Sequence, residues 1–111
     1  MSIGKLLYRV VHPALGLIAR NRCLIHCLFG VRIPRDVTVH FALTTLLLRF
    51  ALQHVVVPQD QSALEVGIGQ GALLALGLQR STHLDVAGVD CSESRVRSSR
   101  LVAHHNALQA D

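Results

Sequence analysis

Apolar residues recur at helical spacing over the first 29 positions: Leu6, Leu7, Val10 and Val11, then Leu15, Ile18, Leu24, Ile25 and Leu28. Pro13 is expected to divide this stretch into two helices and to open the second, because a first-turn residue has no use for its N–H. Gly30 is placed to end it. Pro34 marks a turn, after which Val37, Val39 and Phe41 alternate with Thr38 and His40 as a short strand or an extended lead-in. Residues 42–56 are leucine-rich and read as a helix, with Thr44 and Thr45 near its start and Pro58 closing it.

Asp60 and the Gln residues around it form the loop into a first strand. Leu64 and Val66 form the apolar end of a short strand, expected to be buried, and Gly67, Gly69 and Gly71 follow in alternate positions. Ala72 to Gln79 begins a helix that Gly77 weakens late. Residues 84–90, LDVAGVD, read as a second strand ending on Asp90. Ser92 is a fitting N-cap with Glu93 in the first turn, and the helix runs through Val96 and Leu101 toward Leu108. Strand, glycine turn, helix, strand and helix predict an α/β fold. It is a partial, Rossmann-like doubly wound sheet, its first two strands parallel, preceded by an N-terminal helical segment.

Composition narrows the class without naming a function. Half of the 111 residues are apolar and 16% are charged, which supports a buried core over disorder. Three Phe, one Tyr and no Trp make that core aliphatic. Charge is uneven: residues 1–60 carry seven Lys and Arg against Asp36 and Asp60, whereas residues 61–111 carry four Arg against five acids. A basic first half can meet nucleic acid or an anionic membrane, or can simply be a solvated face. No uncharged run reaches the roughly 18 residues of a membrane span. Three cysteines make no disulfide framework, so a reducing cytoplasm is the expected compartment. Cys23 and Cys27 flank His26, but without a second pair they read as inert residues rather than zinc ligands.

The chemistry is concentrated in ALEVGIGQGALLAL, residues 63–76. A strand that breaks into glycines and re-enters as a helix brings bare backbone N–H groups and a helix N-terminus together. Without Cβ atoms a ligand can approach that backbone closely. Asp90 lies 19 residues beyond Gly71, the distance at which a carboxylate can accept hydrogen bonds from both ribose hydroxyls of a nucleotide. Each residue also has a duller reading: a tight turn for the glycines, a surface charge for Glu65, a helix cap for Asp90 and a helix-start residue for Thr44. His104 and His105 read as surface residues.

The spacing G-I-G-Q-G, with Glu65 two residues before it, differs from the dinucleotide pattern G-x-G-x-x-G. It resembles motif I of the class I S-adenosylmethionine-dependent methyltransferases. GVDCSESRVRSSRLVAHHNAL, with Asn106 and Ala107 near its end, resembles the acidic loop and following helix of the small-domain RNA guanine and release-factor glutamine methyltransferases. The lead-in and Thr44-Thr45-Leu46-Leu47-Leu48 resemble the segment those enzymes place before motif I.

The resemblance covers about residues 37–111 and implies a division into a helical segment, 1–36, and the front half of a methyltransferase domain, 37–111. It implies S-adenosyl-L-methionine as cofactor, with Gly67, Gly69 and Gly71 beside its methionine portion. Glu65 would support that turn, Asp90 would bind the ribose, Cys91 and Ser92 would border the adenine, and Thr44 would be a further contact. The implied reaction is methyl transfer to a nitrogen of protein or RNA. The family's larger sheet and its Asn-Pro-Pro-Tyr-like acceptor motif have no counterpart here, so the resemblance implies a truncated chain holding the cofactor half-site, with no catalytic residue to name. A two-strand parallel unit should leave an open edge and invite self-association. The competing expectation is a noncatalytic interaction module working through basic, amphipathic N-terminal helices. An NAD-type oxidoreductase fragment is a third, and the glycine spacing counts against it.

Overall fold

A computed structural model describes residues 2–55, 58 and 60–108. The described residues form five helices and a two-stranded parallel sheet, an α/β arrangement. In chain order the elements are α1 (Ile3–Ala19), α2 (Arg22–Phe29), α3 (Leu43–Leu52), β1 (Ser62–Val66), α4 (Leu73–Thr82), β2 (Asp85–Val89) and α5 (Glu93–Leu108).

Pro13 does not divide the first helix: α1 runs through it, and the break falls at Arg20 and Asn21. The difference lies in capping. His12 offers nothing to a new helix start, whereas Asn21 Oδ1 accepts from the N–H groups of Cys23 and Leu24 at 3.0 and 3.2 Å. Pro13 is exposed, so the carbonyl it leaves without a donor can face water. Gly30 ends α2 as expected, in the left-handed region at φ 72°.

Residues 37–41 are an extended lead-in and not a strand. The helix expected over 42–56 is shorter, ending at Leu52; Val56, its expected last residue, lies outside the described residues.

One core gathers Ile25 and Phe29 of α2, Val31 and Val39 of the segment after it, Leu76 of α4 and Val102 of α5. It runs without interruption across residue 36, so the helical start and the α/β part share one interior. Asn106 ties its far end together. Its Oδ1 accepts from Arg32 N–H and its Nδ2 donates to Arg32 C=O, both at 2.8 Å, while Nδ2 also donates to Val102 C=O at 2.7 Å. An amide side chain thus pairs with a backbone as a neighbouring strand would. Arg49 of α3 is likewise buried, and its Nε donates to Leu28 C=O at 3.1 Å, placing a cation at the C-terminal end of α2. Burial lowers its pKa from the ordinary arginine value.

β1 and β2 pair in parallel from Ser62↔Asp85 to Val66↔Val89, with α4 as the crossover. Paired residues in such a ladder share a face. Leu64, Val66 and Val89 therefore lie on one face, and they are 63%, 78% and 48% exposed. This corrects the expectation of a buried strand end: among the described residues the helices cover the other face, that of Ala63, Glu65 and Val86, and nothing covers this one.

Candidate functional site: the glycine turn

The three glycines between β1 and α4 do different work. Gly67 and Gly69 hold φ of 78° and 66°, conformations in which a side chain is strained, and a Cβ on either would meet no atom within 4 Å. Their backbone faces open space. Gly71 is a packing glycine: a Cβ there would stand 3.2 Å from Val39 Cγ2. Ala72, the N-cap of α4, is also left-handed, at φ 48°, which costs on the order of 1 kcal/mol. Ala72 is buried, so the strain sits in the core, while the unstrained glycines keep the accessible side of the turn.

Side chains from three elements hold the turn. Ser99 of α5, buried, donates from its hydroxyl to Gly69 C=O at 2.9 Å. Asp90, just past β2, accepts from Gly69 N–H through Oδ2 at 3.1 Å and from Ser92 N–H through Oδ1 at 2.9 Å. The Gly69 peptides are therefore gripped from both sides. Glu65 lies within β1, and its Oε1 accepts from Ala75 N–H at 3.0 Å. Ala75 is in the first turn of α4, whose N-cap makes no side-chain hydrogen bond. Glu65 thus supplies from the strand the carboxylate that the helix start lacks. The N–H groups of Leu73 and Leu74 have no acceptor among the described residues.

The two carboxylates are tuned in opposite directions. Burial pushes the Glu65 pKa above its ordinary value, with the Ala75 hydrogen bond pulling the other way. Asp90 is held below its ordinary value, first by the Ser92 N–H. Burial opposes this; the Gly69 N–H, the Arg95 guanidinium at 3.8 Å and the Cys91 thiol reinforce it.

A cavity of about 120 Å³ lies against the turn, lined among others by His40, Phe41, Thr45, Glu65, Gly67 and Gly69. Clefts that hold drug-sized ligands measure roughly 300–1,000 Å³. This one has room for only one end of such a molecule, and it opens beside Gly67 and Gly69. His40, Phe41 and Ala42 also wall a second, apolar groove of about 340 Å³ under α1, lined by Tyr8, Val11 and Leu15.

Of the residues singled out from the sequence, Glu65, Gly67, Gly69 and Gly71 line the cavity. Asp90 reaches the turn, but its side chain is only 3% exposed and faces the Gly69 and Ser92 N–H groups. Cys91 is exposed, and Ser92 caps α5 through a 3.4 Å bond from Arg95 N–H. Thr44 is exposed, and Thr45 is the threonine at the cavity, because α3 begins at Leu43 and each residue turns the helix by about 100°. Ser99, His40 and Phe41 have no signature in the sequence; only the fold brings them here. Among the described residues, no group of three or more His, Cys, Asp or Glu is placed to hold a metal ion.

No protein-family model matches the chain, and neither a curated protein nor a solved structure is significantly similar to it.

Proposed function

We propose that the glycine turn is the S-adenosyl-L-methionine half-site of a Rossmann-like, class I methyltransferase domain. The observation that carries this reading is the open backbone of Gly67 and Gly69 at the start of α4, with Asp90 brought to the same turn from β2. The residues fit such a group in kind. Unengaged N–H groups at Leu73 and Leu74 and the open Cα side of Gly67 and Gly69 suit the amino-acid portion; Cys91 and Ser92 suit the nucleoside portion, and Asp90 meets the ribose once its carboxylate gives up the Gly69 or Ser92 N–H. The cofactor, when bound, supplies an electrophilic methyl group on a sulfonium. The chain's own part is to bind and orient it; Glu65 and Ser99 support the turn that does so. The resemblance to the glutamine and guanine methyltransferases favours a planar amide or ring nitrogen, in protein or RNA, as acceptor.

Calorimetric titration with S-adenosylmethionine tests the reading. Binding that NAD does not displace, and that Asp90→Ala abolishes while circular dichroism stays unchanged, is expected. Absence of binding by the wild-type chain, or unchanged affinity in Asp90→Ala, overturns it. A second reading, a noncatalytic interaction module, is supported by the apolar residues that α1 exposes beside its cations and does not depend on the cofactor.

A further inference from the structure

Helix α1 is built as three stripes. At about 100° per residue, Val11, Leu15 and Ile18 point one way, and with Ala19 these are its buried or half-buried positions. Lys5 and Arg9 fall together on a second side. Ile3, Leu6, Leu7, Val10 and Leu17 fall within a third sector about 100° wide. That third stripe is uncovered: these five residues are 77%, 55%, 56%, 66% and 68% exposed. Every residue from Ser2 to Val10 is exposed, so the first two turns project beyond the core. A run of aliphatic side chains this exposed on one face of one helix calls for a partner.

The charge around it says which. Residues 1–35 contain Lys5, Arg9, Arg20, Arg22, Arg32 and Arg35 and no carboxylate; the first is Asp36. An anionic bilayer offers an apolar layer and a negative surface side by side, and long basic side chains reach its headgroups while aliphatic neighbours sit below. RNA would satisfy the cations but not the leucines. Single-stranded nucleic acid is held by aromatic stacking, and Tyr8, the one Phe, Tyr or Trp of α1, lies off the exposed aliphatic stripe, its ring stacked on His12 at 4.8 Å. The helix is about 25 Å long at 1.5 Å per residue, and among the described residues no helix is long and apolar enough to cross a membrane. A helix of this kind lies in the plane of the surface.

We propose that α1 is a membrane-surface anchor, seated through Ile3, Leu6, Leu7, Val10 and Leu17 in an anionic lipid bilayer with Lys5 and Arg9 against its phosphates. None of these residues belongs to the glycine turn, so the anchor stands or falls apart from the cofactor reading.

The test is co-sedimentation of the full chain with vesicles of phosphatidylcholine containing phosphatidylserine, against phosphatidylcholine alone, at low and high salt. Binding to the anionic vesicles that weakens with salt is expected. Lys5→Ala/Arg9→Ala should lower the partition about 30-fold, each cation contributing about fivefold. Leu6→Glu/Val10→Glu should abolish binding with the helical content unchanged, since both positions are exposed. Leu7→Trp reports insertion: its emission should shift to shorter wavelength on the anionic vesicles. Failure to bind them, equal binding to neutral vesicles, or binding with no shift at Leu7→Trp overturns the proposal. So does capture by an RNA homopolymer in the absence of vesicle binding.

Discussion

Asn106→Ala measures how much of the fold hangs on one side chain. The amide makes three hydrogen bonds of 2.7–2.8 Å, two to the Arg32 backbone and one to Val102 C=O, and the residue is 3% exposed. A hydrogen bond of this kind contributes about 0.5–1.5 kcal/mol net, and alanine leaves its backbone partners unmatched. The substitution should therefore cost roughly 3 kcal/mol, a large part of the 5–15 kcal/mol typical of a whole domain. At about 4–8 °C per kcal/mol for a domain of this size, Tm should fall by about 12–24 °C. Urea unfolding followed by circular dichroism reads the midpoint, which should fall with its slope unchanged. Arg32→Ala is the control: Asn106 bonds the backbone of Arg32, whose side chain is exposed, so its cost should stay within about 0.5 kcal/mol. A loss below about 1 kcal/mol in Asn106→Ala, or an equal loss in Arg32→Ala, would refute the argument.

The two carboxylates at the turn set opposite limbs of a stability–pH curve. Glu65, raised above its ordinary 4.5, binds its proton more tightly when folded, so its contribution falls as pH rises through a window above that value. Asp90, lowered from 3.8, contributes above that value and loses its contribution as pH falls below it. Thermal unfolding from pH below 3.8 to pH above 4.5 should show Glu65→Gln flattening the upper limb and Asp90→Asn the lower; either variant altering the other limb instead would contradict the assignments. Gly77→Ala sets a helix-propensity gain of about 1 kcal/mol against a Cβ 2.5 Å from Phe29 C=O, a backbone atom that cannot turn aside. Net destabilisation in urea is expected, and a more stable variant would show the α2–α4 packing to be looser than described. Arg49→Met removes the guanidinium from Leu28 C=O and should cost about 1–3 kcal/mol by the same assay, with no change pointing to a replacement donor. Sedimentation velocity should find species heavier than 12.1 kDa, and Leu64→Lys/Val66→Lys should return the chain to monomer; a wild-type monomer at high concentration would show the bare sheet face to be innocuous.

Local signals made the second half of the chain legible. Alternate glycines, a strand on either side of a helix and an acid at the end of the second strand describe β1, α4 and β2, with α4 running three residues past the expected Gln79. Burial was not legible in the same way. Leu64 and Val66 have the composition of a core strand, but a strand is buried only if something packs on it, and that depends on distant parts of the chain. Pro13 shows a local rule yielding to another: a proline can begin a helix, yet without a capping residue before it α1 continued to Asn21, where a cap exists. Thr44 missed the cavity by one residue, since the phase of α3 follows from where Leu43 starts it. Ser99 and Asn106 act across 30 and 74 residues of chain, beyond any spacing rule.

A sheet of two strands has no interior strand. In a parallel pair every second N–H of each strand points to its neighbour and the others point away. Amide hydrogen exchange along Ser62–Val66 and Asp85–Val89 should therefore alternate, slow and fast, residue by residue. Any chain that adds to the sheet must bond to the fast amides of one strand or the other. Which set slows would report the side of addition directly, amide by amide, without a structure of the complex.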